Sequence, residues 1–202
     1  AAGRQAGYPA PQLQLADELN LKLMEKIAGE TRAAAEAAGQ TLDEGGVPAL
    51  VEAMLHKFER PGKLEGKGFY EYVDGKRSGL WPGLFNELRE ELNITPIAPE
   101  DTDLQELVDR MLFIEAIETQ KCVDEGVLLH DADGNIGSIF GIGYPAWTGG
   151  TRQFIKNYDG ATVVDPAAAH PERRGVAGFV ERAEELAAKH GERFNAPESL
   201  KK

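Results

Sequence analysis

The chain of 202 residues has few of the features that mark secreted, membrane-spanning or nucleic-acid-binding proteins. A single cysteine, Cys122, excludes an internal disulfide and suits a reducing compartment, so we expect a cytoplasmic location. No segment approaches the roughly 18 apolar residues of a membrane span, and the first residues lack the basic-then-apolar pattern of a signal peptide. Lysine and arginine total 22 against 34 acidic residues, and the resulting net charge of −12 disfavours nucleic acid and anionic membranes as partners.

A short sequence is repeated. Gly-Tyr-Pro-Ala occupies positions 7–10 and again 143–146, an offset of 136 (143 − 7). A four-residue match can arise by chance, and glycine followed by an aromatic residue and proline is a common turn. The second copy follows a long helical pattern, whereas the first copy has only six residues before it. If the copies mark equivalent points of two units, we expect this chain to be a piece of a longer protein whose first unit lacks its opening helix.

Apolar periodicity predicts a mainly helical fold. Spacings of three and four residues indicate helices at 12–38, 47–58, 80–92, 100–125, 152–158 and 176–187. The aromatic segment after Gly68 reads as a short extended piece, and a polar, glycine-containing stretch is expected up to Gly137. Residues 93–101, with Pro96 and Pro99, read as a linker. The prediction is therefore an all-α protein with domains at 1–95 and 96–202.

Three motifs suggest chemistry, but none meets its requirements. Residues 141–146 fit a loose dinucleotide fingerprint, yet no buried strand precedes them and two glycines interrupt the helix that should follow. Residues 131–135 begin like a calcium loop, but the sixth position is Ile136 and the twelfth is Ile142. Glu52 and His56 share a helix face without further ligands. We therefore expect no catalytic residue and no metal site in this chain.

Glu118 falls on the apolar stripe of the predicted helix 100–125, where burial of an unpaired carboxylate would be costly. One hypothesis is that it accepts hydrogen bonds from backbone N–H groups of the glycine-rich turn 141–150. The alternative is that the helix is rotated enough to leave Glu118 in solvent.

Several segments together resemble a known family. Residues 66–72 read Gly-Lys-Gly-Phe-Tyr-Glu-Tyr, which resembles the Gly-x-Gly-Phe-Tyr-x-Tyr signature in the C-terminal domain of 3-hydroxyacyl-CoA dehydrogenases. Residues 7–9 resemble the Gly-Phe/Tyr-Pro turn of that domain. Arg110-Met111, Glu118, Cys122, and the segments 125–127 and 141–150 look like the second, degenerate copy of the domain. A doubled domain is typical of multifunctional fatty-acid oxidation enzymes, the trifunctional-enzyme α subunits.

The resemblance implies two helical units like the C-terminal domain of 6-phosphogluconate dehydrogenase, in tandem and related by a pseudo-twofold axis. It implies an NAD-dependent oxidoreductase of fatty-acid β-oxidation in which the catalytic His-Glu pair and the NAD site lie in a Rossmann domain outside this chain. The partners it implies are that Rossmann domain, an enoyl-CoA hydratase domain of the same polypeptide, the acyl-CoA substrate and a thiolase subunit. On this fragment alone we expect no bound NAD and no activity.

The family's first turn lies near the acyl pocket, so the resemblance makes Tyr8, Pro9 and Leu13 candidates for substrate contact, with a purely structural role as the alternative. Pro11-Gln12 departs from the Gly-Pro of single-domain relatives, which puts the contacts of that turn in doubt. The residues predicted to be structural lie in the signature, on the long helix and in the second turn: Gly68, Phe69, Tyr70, Glu118, Gly141, Gly143, Pro145, Gly149 and Gly150. Two other functions stay open, a freestanding helical interaction module and the tail of another hydroxy-acid dehydrogenase.

Overall fold

The computed structural model describes residues 1–42, 44–160 and 169–202. Their α-helices are α1 (Ala2–Ala6), α2 (Gln12–Leu19), α3 (Leu21–Ala37), α4 (Val47–Glu52), α5 (Glu87–Glu91), α6 (Leu104–Asp124), α7 (Asp131–Ile142), α8 (Thr151–Lys156) and α9 (Gly175–His190). The only sheet of the described part is an antiparallel hairpin of β1 (Tyr70–Val73) and β2 (Lys76–Leu80). The predicted all-α class is confirmed. None of the described helices is both long enough and apolar enough to cross a bilayer.

The chain forms two compact units. The central unit consists of Gln12–Thr102, and the discontinuous unit combines Ala1–Pro11 with Asp103–Lys202. The break falls close to the predicted linker. The first eleven residues were expected in the other unit, but they pack with the second half of the chain because α1 lies on α6. That the two halves are copies of one domain stays a prediction.

The core of the discontinuous unit surrounds α6. Periodic apolar residues give this helix a buried face that includes Val108, Phe113 and Ile117. Phe113 stacks on Phe179 of α9 with ring centroids 4.5 Å apart. At the polar edge, Arg182 of α9 forms a 2.7 Å ion pair with the largely buried Asp109 of α6. Helices α1, α8 and α9 thus pack around one central helix.

The core of the central unit is smaller and contains Leu21, Val51, Met54, Phe69 and Leu88. Helix α4 continues into a π-helical turn over Ala53–Lys57. This turn ends before Pro61, as predicted from the sequence Arg60-Pro61-Gly62. The two predicted helical runs at 12–38 and 47–58 are confirmed, apart from a break at Asn20.

Two predictions of local structure were wrong. The helix expected from Leu80 begins only at Glu87, because residues 76–80 form β2 after a tight turn at Asp74 and Gly75. Both turn residues have positive φ, 50° and 72°, as a type I′ hairpin turn requires. The glycine-containing stretch before Gly137 is not a loop but most of α7.

Candidate functional site

The two Gly-Tyr-Pro-Ala copies lie together in the discontinuous unit, and we call them the turn pair (7–10 and 143–146). Helix α1 ends at Gly7 with φ 97°, and α7 ends at Gly143 with φ 73°. Glycine is favoured at both places because a left-handed residue after a helix lets its last carbonyls find N–H partners. In both copies, therefore, the repeated sequence begins with a left-handed glycine that ends a helix.

The two turns are packed against each other. The Trp147 Nε1–H donates a 2.7 Å hydrogen bond to the carbonyl oxygen of Ala6. A Cβ atom at Gly143 would lie only 2.9 Å from Cγ of Pro9, so the glycine also permits this close approach. The rings of Tyr8 and Tyr144 meet edge to face at 6.3 Å.

Both tyrosine hydroxyls are directed at the backbone of α6. Tyr8 donates to the carbonyl oxygen of Met111 at 3.4 Å, and Tyr144 donates to that of Leu112 at 3.1 Å. Burial raises the pKa of both phenols far above the ordinary value, with Glu115 nearby adding to the effect. Near neutral pH both hydroxyls are protonated and engaged, so they hold the turns to the helix rather than exchange protons.

Glu115 of α6 is an acidic residue whose carboxyl group is largely buried beside the turn pair. Burial raises the pKa of its carboxyl group, and the Tyr8 hydroxyl offsets part of that rise. Its Oε2 atom is buried and has no hydrogen-bond partner among the described residues. Nothing in the sequence indicated that this residue is buried rather than Glu118, which lies three positions along the same helix.

The hypothesis for Glu118 was wrong. Its side chain is 57% exposed and forms a 2.6 Å ion pair with Lys121. The core-facing side of α6 carries Phe113, Ala116 and Ile117, and Glu118 lies outside it. The helix is therefore rotated enough to leave this carboxylate in solvent, as the alternative proposed.

The glycines after the second turn serve close packing. Gly150 has φ 101°, and a Cβ atom there would lie 2.5 Å from Cα of Asn135. The Asn135 side chain accepts a 3.0 Å hydrogen bond from the Gln153 N–H, which joins α7 to α8. Gly149 has φ 78°, whereas Gly141 lies within α7 with open space around the position of a Cβ atom. Of the predicted structural glycines in this segment, Gly141 has no packing reason within the described structure.

In the central unit, a buried carboxylate holds the signature segment. Asp17 of α2 is 1% exposed, and its two oxygens accept hydrogen bonds from the Phe69 N–H at 2.7 Å and the Tyr70 N–H at 2.9 Å. The Tyr72 hydroxyl donates to it as well, at 2.9 Å. Gly68 is required here because a Cβ atom would collide with the Asp17 carboxylate. A carboxylate that fixes a glycine turn was predicted at Glu118; the structure shows it at Asp17 instead.

The central unit also contains a groove between α3 and α4. It has a volume of about 490 Å³. Its apolar lining comes from Met24, Ile27, Val47 and Val51 together with Ala28 and Pro48. Two charge pairs lie at its rim, Glu25 with His56 at 2.6 Å and Arg32 with Glu44 at 2.8 Å. We call it the α3–α4 groove.

The predicted substrate residues fall in both units. Tyr8 is buried and Pro9 is exposed, and both belong to the turn pair. Leu13 is an exposed residue of α2 in the central unit. Substrate contact by these three residues stays a prediction.

Neither the calcium-like motif nor the dinucleotide-like motif has the local geometry of its binding site in the described structure. No group of three or more His, Cys, Asp or Glu side chains in this part of the chain is arranged to hold a metal ion. Asp131, the first residue of the calcium-like motif, instead pairs with Arg152 at 2.8 Å and with Lys156. Gly143 lies at the C-terminal end of a helix, where unpaired carbonyl groups repel a pyrophosphate.

No protein-family model matches this chain. Curated proteins named fatty acid oxidation complex subunit alpha do. That of a Shewanella species (strain ANA-3) is 29% identical over 196 residues, which cover 96% of this chain and 24% of the relative. The Shewanella putrefaciens protein is 30% identical over 158 residues, 78% of this chain and 21% of its own length. The Vibrio cholerae protein is 28% identical over 181 residues, 84% of this chain and 22% of its own length.

The chain thus spans about a quarter of the length of the curated relatives it matches. The resemblance to multifunctional fatty-acid oxidation enzymes, predicted from the signature and the doubled turn, is confirmed by these relatives.

Proposed function

We propose that this chain is the C-terminal helical region of an NAD-dependent 3-hydroxyacyl-CoA dehydrogenase of fatty-acid β-oxidation. The observation that carries the proposal is the similarity to fatty acid oxidation complex α subunits over 96% of the chain. The signature segment adds weight because Asp17 fixes its backbone at Phe69 and Tyr70. A buried carboxylate whose hydrogen bonds are all satisfied holds the backbone of this segment in one conformation.

In this proposal the chain has a structural role and contributes no reacting groups. The hydroxyls of Tyr8 and Tyr144 donate hydrogen bonds to the backbone of α6, and the dinucleotide-like motif lies at the C-terminal end of α7 rather than at a helix N-terminus. Hydride transfer to NAD and proton removal would take place on domains outside residues 1–202. The turn pair and its helices would complete the acyl-CoA site and replace a partner subunit in dimer-like packing. A cytoplasmic location is part of the proposal, in keeping with the single cysteine.

A chimera tests the proposal. The segment of the Shewanella (strain ANA-3) α subunit that matches 96% of this chain is replaced by residues 1–202, and NADH formation from a 3-hydroxyacyl-CoA is followed. We expect the chimera to oxidise the substrate and the 202-residue chain alone to form no NADH. A folded chimera without this activity would refute the proposal, and NADH formation by the chain alone would refute its assignment of the catalytic groups.

The matched control for the chimera is a second one that carries Asp17→Ala. We expect it to lose dehydrogenase activity because the signature segment loses its anchor. Hydratase activity of the same chimera reports whether the rest of the protein is folded.

A further inference from the structure

A small pocket lies in the discontinuous unit, between the first half of α6 and the helix α8 that follows the second turn. Its volume of about 320 Å³ falls within the range of about 300–1,000 Å³ that is usual for small-molecule sites. All of its lining residues belong to this one unit. We call it the Trp147 pocket, and its lining includes Gln105, Leu112, Trp147, Gln153, Asn157 and Asp159.

Trp147 forms a fixed wall of this pocket. Its Nε1–H group donates to the carbonyl oxygen of Ala6 at 2.7 Å. A Cβ atom at Gly7 would lie only 3.0 Å from Cδ1 of the indole, so this edge of the ring is closely packed. The residue nevertheless remains 58% exposed. The first copy of the turn is followed by Pro11 instead of a tryptophan, so this wall is a feature of the second turn.

The floor of the pocket is apolar and rests on the core of the unit. Leu112 of α6 is buried, and Phe154 of α8 packs on the ring of Phe113 with centroids 5.5 Å apart. Such a floor accepts an apolar ring or a short aliphatic chain, because contact removes apolar surface from water on both sides. The body of a fitting ligand is therefore apolar.

Several side-chain donors of the pocket are directed into the protein. Nε2 of Gln105 donates to Oδ1 of Asp109 at 2.6 Å, and Nδ2 of Asn157 donates to Oε1 of Gln153 at 3.2 Å. The indole N–H of Trp147 is its only donor, and Ala6 accepts it. Acceptors remain at the pocket, namely the amide oxygens and carboxylates of its lining. The polar end of a fitting ligand is therefore a hydrogen-bond donor.

Charge narrows the class of ligand further. Among the described residues that line the pocket there is no lysine, arginine or histidine, whereas Asp109 and Asp159 both line it. Asp109 is matched by Arg182 at 2.7 Å, and Asp159 is an exposed residue just after α8. The net charge of −12 attracts cations at long range. A phosphate-bearing ligand would find no cationic partner in this lining, so the pocket favours a cation.

We infer that the Trp147 pocket binds a small organic cation, a primary ammonium group carried on an apolar ring. The ring lies on Leu112 and Phe154, and the ammonium group donates to the amide oxygens and to Asp159. Trp147 adds a cation–π contact, for which tryptophan is the best side chain. This site is separate from the acyl-CoA chemistry of the proposed function, since its ligand has the opposite charge.

The test uses 2-phenylethylamine as the probe and the 202-residue chain with Trp81→Phe, so that fluorescence reports Trp147. The matched probes are 2-phenylethanol and 3-phenylpropionate, which carry the same ring with a neutral or an anionic end. We expect a saturable change with the amine, a Kd at least about tenfold higher for the alcohol, and no saturation with the carboxylate. In NMR spectra, the side-chain amide resonances of Gln153 and Asn157 should shift with the amine.

A substitution separates the charge contact from packing. Asp159→Asn should raise the Kd of the amine by about threefold or more and leave that of the alcohol unchanged. Asp133→Asn is the matched control, because Asp133 is an exposed acid of the same unit that does not line the pocket. Its Kd for the amine should equal that of the parent chain. Circular dichroism checks that both variants are folded.

Absence of a saturable change up to about 10 mM amine would overturn the inference. So would equal affinity for the amine and the alcohol, an unchanged Kd in Asp159→Asn, or an equal loss in Asp133→Asn. Amide shifts confined to the α3–α4 groove would overturn it as well, because they would place the cation in the other unit. The assay uses neither acyl-CoA nor NAD, so its outcome is independent of the chimera.

Discussion

The anchor at Asp17 makes a quantitative prediction. Asp17→Ala removes the acceptor of three hydrogen bonds from Phe69, Tyr70 and Tyr72. At least one N–H group, that of Phe69, is then buried without a partner. Each unsatisfied buried donor costs about 1–3 kcal/mol, and bonds to a charged acceptor are at the upper end. We therefore expect the free energy of unfolding of the central unit to fall by about 3 kcal/mol.

The chain provides a reporter for each unit, because its two tryptophans, Trp81 and Trp147, lie in different units. In a Trp147→Phe background, fluorescence during urea denaturation follows the central unit through Trp81. In a Trp81→Phe background it follows the discontinuous unit. Asp17→Ala should lower the midpoint seen by Trp81 and leave the midpoint seen by Trp147 nearly unchanged.

The conservative variant Asp17→Asn retains one carbonyl acceptor and presents an amide donor to the remaining N–H groups, so its loss should be smaller than that of alanine. The exposed Asp101→Ala is the control and should change stability by less than about 0.5 kcal/mol. A loss below about 1 kcal/mol for Asp17→Ala, or an equal loss at Trp147, would contradict the argument.

Three further predictions concern the discontinuous unit, each checked by thermal unfolding. Glu115→Gln should stabilise the chain at pH 7 and have little effect below the unfolded pKa of about 4.3. The reason is that burial raises the pKa of Glu115 in the folded state, so its ionisation at pH 7 destabilises the fold. Equal effects of the substitution at both pH values would contradict this. Gly150→Ala should destabilise by at least about 2 kcal/mol, since its Cβ atom would meet Asn135 and its φ is positive; a neutral result would refute the close packing. Trp147→Phe should cost about 1 kcal/mol by removing the hydrogen bond to Ala6, and no loss would exclude that bond as a contributor.

Helices with a strong apolar period could be predicted from the sequence, and those held by tertiary contacts could not. Helix α9 follows its pattern directly, with Phe179, Ala183 and Leu186 buried. Helix α7 was missed because glycines lower helix propensity. Gly134 lies there because a Cβ atom would approach Cγ of Arg152 to 2.9 Å, a contact that exists only after folding.

The hairpin shows the opposite error, because a regular spacing of leucines predicted a long helix that the structure does not contain. Leu80, Leu84 and Leu88 are spaced by four, but only Leu88 lies in an α-helix and in the buried core. Leu80 ends β2, and Leu84 ends a short 3-10 helix at the edge of the core. The Asp74-Gly75 pair that precedes them is a strong hairpin signal, and weighing it above the leucine spacing would have predicted β2.

The site was harder to predict than the fold. The repeated turn and the signature drew attention to two segments in which the structure shows glycines at close contacts, Gly143 beside Pro9 and Gly68 beside Asp17. A functional role of these segments stays a prediction.

Glu118 was predicted to be buried in place of Glu115 because the two residues are three positions apart (118 − 115) and therefore differ by only about 60° around the helix axis. A small error in the predicted phase of the helix then exchanges a buried carboxylate for an exposed one. The leucine-rich run 13–19 contains two adjacent acids, Asp17 and Glu18, and its sequence does not show which of them is buried.

The discontinuous unit can be completed only late in synthesis. Its first segment, Ala1–Pro11, is synthesised before the central unit, but this segment packs with residues that follow Thr102. At a translation rate of about 5–20 residues per second, the 133 residues from Pro11 to Tyr144 (144 − 11) need about 7–27 s. The central unit can fold on the ribosome during that interval, whereas Ala6 and Tyr8 remain without their partners until the second turn emerges.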